Sequence, residues 1–326
     1  MQRMIRMGLA VCGLALAVGA TAATISPQTL KQADGERQYL LVTPEHAPAG
    51  KRPLVILLHG HGGSAKQLLG QAKTHAPLSV WLNIADREGL VLMAPDGEVG
   101  PDGKQGWRDC RVDATGNPAT NDIGLINALI DSGMATQQVD PQRVYVMGMS
   151  NGAIMSIRVA TELGKRIAAI AAVSGSQAVD SGCGAASQPV SALFINGTAD
   201  PIVPYAGGPI HLGNRHRGSV LPIESVAADW RKVDGLGEEV DTRTLPHLDE
   251  QDPTRAIVSR WGSDPSGLQV TLVKIEGGGH VEPSISQRVH RLYAAIVGKQ
   301  NGDLESAEFA WSFFKDKRVY SGKSAR

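Results

Sequence analysis

The chain has 326 residues, 42% of them hydrophobic, and its 32 basic residues balance 32 acidic ones. That length can bury a large core in a single α/β domain, while zero net charge argues against a nucleic-acid partner, which would call for a basic excess. Thirty-eight glycines beside 4% aromatics fit a loop-rich globular chain and not a fibrous one.

In chain order, residues 1–22 come first. Arg3 and Arg6 precede an apolar run from Met7 to Ala20, and Ala20-Thr21-Ala22 places small residues where a signal peptidase cuts. The run is too short to span a bilayer, and no twin-arginine pair is present. The expectation is a signal peptide over 1–22, one domain over 23–326, and a secreted or periplasmic product with no membrane attachment after cleavage. Cleavage would leave Cys110 and Cys183. In an oxidising compartment these would pair if close, and would otherwise be two free core thiols.

The mature chain alternates. "RQYLLVTP" (37–44) reads as a strand, and "PLVILLHG" (53–60) as a strand buried on both faces. Residues Ser64 through Glu88 read as a helix, with Pro77 as a candidate break. "LVLMAPDG" (90–97) is a further buried strand, followed by a Gly/Asp/Pro-rich loop over 98–118. "NDIGLINALIDSGM" (121–134) is a helix capped by Asn121. A strand through Val144–Val146 then meets a helix from Ala153. "IAAIAAVSGS" (167–176), "SALFINGTAD" (191–200) and "LQVTLVKIEGGGH" (268–280) are strands. Residues 224–233 and "ESAEFAWSFFKDK" (305–317) are helices, and "RVYSGKSAR" reads as a solvated tail. Alternation of this kind predicts a mostly parallel sheet with helices on both faces.

The junction "GMSNG" (148–152) sets one serine between two glycines where a strand becomes a helix. A turn sharp enough to project Ser150 needs neighbours without bulk, which Gly148 and Gly152 supply. A serine alcohol is inert at neutral pH without a base. Of nine histidines, His280 closes a late strand on the glycine loop "GGGH", at the same sheet edge. The supporting acid should lie between the two in sequence. Asp200 ends a strand and is favoured over Asp180, in a polar loop, and over Asp229 and Asp234, in or beside a helix and expected to face solvent. The backbone N–H of Asn151, following the serine, and that of His61, in "HGHGGS" (59–64), are the candidate donors to an oxyanion. His59 and His61 lack a carboxylate or Cys partner at ligand spacing, so no metal site is expected.

Taken together, "HGHGGS", "GMSNGA", "GTADPIVPYAGG" and "GGGH" resemble the exported polyhydroxybutyrate depolymerase and feruloyl esterase group of α/β hydrolases, from about Arg37 to the final helix. The resemblance implies an α/β-hydrolase fold without a large lid domain and without a cofactor. It implies Ser150 as nucleophile, Asp200 as acid and His280 as base, with Trp107 near the substrate cleft and Cys183 before the acid strand. Family members often follow "GGGH" with an aromatic and Pro-Gly; here Val281-Glu282-Pro283 stands instead, altering one cleft wall. With no polymer-binding module read after the domain, small or oligomeric soluble esters are the expected substrates. The basic run "HLGNRHRG" (211–218) offers Arg215 and Arg217 to a substrate carboxylate, against the alternative of a solvated loop. Rival readings are a serine peptidase of the same fold and a binding protein on this scaffold. The sequence leaves the oligomeric state open.

Overall fold

The computed structural model describes residues 23–33, 35–73, 76–212 and 217–322. The expected signal peptide and Arg215 lie outside the described residues. Ten strands form one sheet: β1 Thr24–Gln32, β2 Gly35–Thr43, β3 Arg52–Leu58, β4 Val91–Pro95, β5 Val139–Met149, β6 Ala169–Val173, β7 Ser191–Gly197, β8 Asp241–Thr244, β9 Arg255–Trp261 and β10 Val270–Glu276. Their spatial order is β1-β2-β4-β3-β5-β6-β7-β10-β9-β8. The six strands from β4 to β10 pair in parallel. The flanking strands join antiparallel.

The central stretches of the parallel strands, such as Leu54–Leu58 and Val144–Met147, are apolar and buried because both faces are covered. On β3, Leu54, Ile56 and Leu58 enter one core, and Val55 and Leu57 the other. The first core is closed by α3 (Asp122–Thr136), α4 (Asn151–Leu163) and α5 (Ile223–Val233). The second is closed by α1 (Ala65–Leu68), α2 (Trp81–Glu88) and the late helix Ser306–Phe314. There Phe314 stacks on Tyr145 with ring centroids 4.9 Å apart. This is the expected α/β-hydrolase architecture, with helices on both faces. Among the described residues no helix is long and apolar enough to cross a membrane.

The helix expected over Ser64–Glu88 is broken twice. Ser64 caps only the four-residue α1, accepting from the Gln67 N–H. Gly70 then turns the chain with φ +71°, and Pro77 opens a 3₁₀ turn that leads into α2. Asn121 caps α3 as expected, accepting from the Gly124 N–H at 3.0 Å. Cys110 and Cys183 are joined in a disulfide across 73 residues. The bridge ties the long loop after β4 to the loop after β6.

Candidate active site

β5 ends at the sheet's carboxyl edge, and Ser150 makes the turn with φ 56° and ψ −119°. Few non-glycine residues adopt this region, at a cost of about 1–3 kcal/mol. The surroundings enforce it. A Cβ at Gly148 would stand 2.1 Å from the Gly152 carbonyl oxygen, and one at Gly152 would stand 2.3 Å from that of Leu58. Only glycines let the helix approach the sheet this closely. The Ser150 N–H donates to the Val173 carbonyl at 2.8 Å, pinning the turn to β6.

Two strand ends bring the partners. Asp200 follows β7, where its Oδ1 accepts from the Ile202 and Val203 N–H groups, both at 2.8 Å. His280 follows β10, on a glycine turn packed so tightly that a Cβ at Gly279 would lie 2.2 Å from the Val297 carbonyl oxygen. Asp200 Oδ2 lies 2.8 Å from His280 Nδ1, and His280 Nε2 lies 2.9 Å from Ser150 Oγ. An ionised carboxylate accepts only, so Nδ1 carries the ring proton and Nε2 is left to accept from the serine hydroxyl. Such a chain can deprotonate Ser150 as it attacks a carbonyl carbon. The other candidate acids stand elsewhere: Asp180 and Asp229 are exposed. Asp234, expected in solvent, is instead buried below β7, taking the Val190 N–H at 3.0 Å. Burial pushes its carboxyl up to about 8.

The "HGHGGS" loop lies beside Ser150. Its Gly62 and Gly63 amides are committed, to the Gln105 and Gly60 carbonyls. His59 is buried, with its Nδ1 2.8 Å from the Gly60 carbonyl and its Nε2 accepting from the Gly97 N–H at 2.9 Å. Both ring nitrogens are spent, and burial pushes its pKa down. Trp107 does not line the cleft. It is fully buried and donates its indole N–H to the His59 carbonyl at 2.8 Å, while its backbone N–H donates to Asn151 Oδ1. Its bulk therefore supports the loop from behind. Arg217, expected to meet substrate, points into the same support: it donates to Asp102 Oδ2 at 2.7 Å and lies 2.9 Å from His61 Nε2. A buried carboxylate needs a cation, and Asp102 holds the guanidinium away from open solvent. The one group of three candidate ligating side chains among the described residues is Cys110, Glu162 and Cys183, two of which are consumed by the disulfide.

A cleft of about 490 Å³ opens over Ser150 and His280. Leu68, Leu78, Ile202, Val289 and Ile296 make it largely apolar, and Glu282 and Tyr293 also line it. Burial holds the Glu282 carboxyl above the usual carboxylate range. Tyr293 comes from α6 (Arg291–Val297), a helix absent from the sequence-based expectation. Its exposed Leu292, Tyr293 and Ile296 give no clean amphipathic stripe by which to find it.

The model of the family described as "Esterase PHB depolymerase" matches residues 37–203, just over half of the chain. The chain is 27% identical over 299 residues to "Putative esterase NocK" of Nocardia uniformis subsp. tsuyamanensis, covering 89% of this chain and 83% of that protein. It is 25% identical over 257 residues to "Bifunctional acetylxylan esterase/xylanase XynS20E" of Neocallimastix patriciarum, covering 79% of this chain but only 32% of that longer protein. With "Probable feruloyl esterase C" of Aspergillus flavus it shares 28% identity over 183 residues, 55% of this chain and 60% of that one. Among solved structures, an acetyl xylan esterase from Aspergillus awamori superposes with a TM-score of 0.53 at 13% identity, covering 78% of this chain and 94% of that one. That likeness establishes the shared fold.

Proposed function

The chain belongs to the Esterase PHB depolymerase family, and from that premise we propose that it is an exported serine carboxylic-ester hydrolase acting through an acyl-enzyme. The observation that carries the reading is the hydrogen-bonded chain Ser150–His280–Asp200, with contacts of 2.9 and 2.8 Å, set on a positive-φ turn beneath the cleft. Ser150 Oγ attacks the ester carbonyl while His280 Nε2 takes its proton. Asp200 steadies the resulting imidazolium. The Asn151 and His61 amides receive the oxyanion; commitment of the Gly62 and Gly63 amides elsewhere favours His61 in that role. Collapse expels the alcohol, protonated by His280. Water activated by the same histidine then releases the acid.

The apolar cleft suits the acyl part of a small or oligomeric soluble ester. Arg217 is already paired with Asp102, and the cleft wall carries Glu282 as well as Lys73, so any discrimination against esters carrying a carboxylate would depend on ionisation of Glu282. Acetyl and feruloyl esters are candidates worth testing, because relatives are named acetylxylan esterase and feruloyl esterase. Export is supported by the signal-like first 22 residues and by the disulfide. A panel of aryl short-chain esters, methyl ferulate, acetylated xylan and hydroxybutyrate oligomers tests the reading. Turnover of at least one ester, lost in Ser150→Ala, is expected; turnover of none by the folded protein, or cleavage of peptides alone, would overturn it.

A further inference from the structure

Three sequence segments meet behind the two proposed oxyanion donors. Arg217 donates to Asp102 Oδ2 at 2.7 Å, and His61 Nε2 lies 2.8 Å from that same oxygen. All three side chains are largely buried. On the other side, the Arg217 carbonyl accepts from the Arg111 guanidinium. Arg111 pairs with Asp109, whose Oδ2 accepts from Asn151 Nδ2 at 2.7 Å. Two glycines make room for this network. A Cβ at Gly106 would stand 3.0 Å from Asn151 Oδ1 and 3.1 Å from His61 Nδ1, so Gly106 sits between the two donor residues. A Cβ at Gly116 would stand 2.7 Å from the Arg217 guanidinium and 3.0 Å from Asp102 Oδ2.

We infer that Arg217 is a positioning residue for both oxyanion donors: its guanidinium, with Asp102, fixes His61, and its carbonyl, through Arg111 and Asp109, fixes Asn151. The inference rests on the hydrolase reading above. An oxyanion hole works by holding its donors in place before charge develops, so that nothing need reorganise at the transition state. A backbone N–H on a glycine-rich loop has little stiffness of its own. His61 acquires it by anchoring its ring. Arg217 touches no reacting atom, so its loss should spare substrate binding and weaken transition-state stabilisation.

The test compares a p-nitrophenyl ester with its thiono analogue, whose sulfur accepts hydrogen bonds poorly, in protein titrated for active sites with a serine-directed phosphonate. Arg217→Ala should lower kcat on the oxo ester by about 10- to 100-fold, short of the roughly 100- to 1,000-fold seen when a donor is removed outright. KM should move by less than about threefold, and the oxo-over-thiono preference should shrink. Asp102→Asn should behave alike, and the double variant little worse than either single one. Arg217→Lys should recover part of the rate, because a lysine restores the charge but not the fork. Gly116→Ala, which keeps every charge and displaces the pair, guards against a folding failure and should move the oxo/thiono ratio the same way. An active, labelled wild type whose ratio survives these changes, with only melting temperature falling, overturns the inference alone. A wild type that takes no label and turns over no ester overturns the hydrolase reading, and the inference with it.

Discussion

His280 Nε2 lies 2.9 Å from Ser150 Oγ across 130 residues of sequence, and the contact exists because two glycine-lined turns end at one sheet edge. Ser150→Ala should fold normally and lose about four to six orders of magnitude in kcat. Asp200→Asn should cost about four: its oxygen can keep the Ile202 and Val203 amides, but its amide would then donate to Nδ1 and impose the wrong tautomer. Steady-state kinetics on an aryl ester check both.

The same turn carries a stability signature. Ser150→Gly removes the penalty of φ 56° and should be more stable than Ser150→Ala by about 1 kcal/mol, while equally inactive. Urea denaturation of the two variants reads this directly; equal midpoints would mean that the turn is unstrained.

Glu282 should set a charge preference. Its carboxyl lines the cleft and is held above the usual range by burial. As pH rises and it ionises, esters bearing a carboxylate should fall behind neutral ones, by about tenfold for a repulsion near 1.4 kcal/mol. Glu282→Gln should remove the pH dependence of that ratio. A ratio unchanged by pH in the wild type contradicts the assignment.

Asp234 should make stability pH-dependent. Its folded-state value of about 8 lies above its ordinary 3.8, so the folded state retains a proton that the unfolded state releases. Its contribution therefore falls as pH rises from about 4 to about 8, by at most roughly 1.4 kcal/mol per unit. Asp234→Asn should flatten that slope in denaturation curves taken across this range.

The disulfide spans 73 residues, for which the chain-entropy relation gives about 4 kcal/mol. Replacing Cys110 and Cys183 together with Ala should lower the unfolding free energy by up to that amount. Intact mass before and after reduction and alkylation counts the thiols in the wild type.

What could be read from sequence was whatever has a strong local cause. The glycines around Ser150 announce a tight turn, and continuous apolar runs announce doubly covered strands such as β3. The sheet edges were not legible. β8 is four exposed polar residues, and β1 has no fully buried position, with only Ile25 and Leu30 reaching the cores, so neither carries a regular alternation to detect. The segment 64–88 keeps helical composition although Gly70 and Pro77 divide it. Around the site, chain order and strand ends singled out Asp200 and His280, which the structure brings into one hydrogen-bonded chain with Ser150. The place of Arg217 did not, because a basic loop reads the same whether its cation meets solvent, substrate or a buried Asp102. Glu282 was visible only as a departure from the family pattern.

The most direct test of the account is labelling by a serine-directed phosphonate followed by peptide mapping. One adduct per chain is expected, on Ser150, forming far more slowly in His280→Ala because the hydroxyl loses its base. An adduct on another serine, or ester hydrolysis that persists in Ser150→Ala, would contradict the central claim.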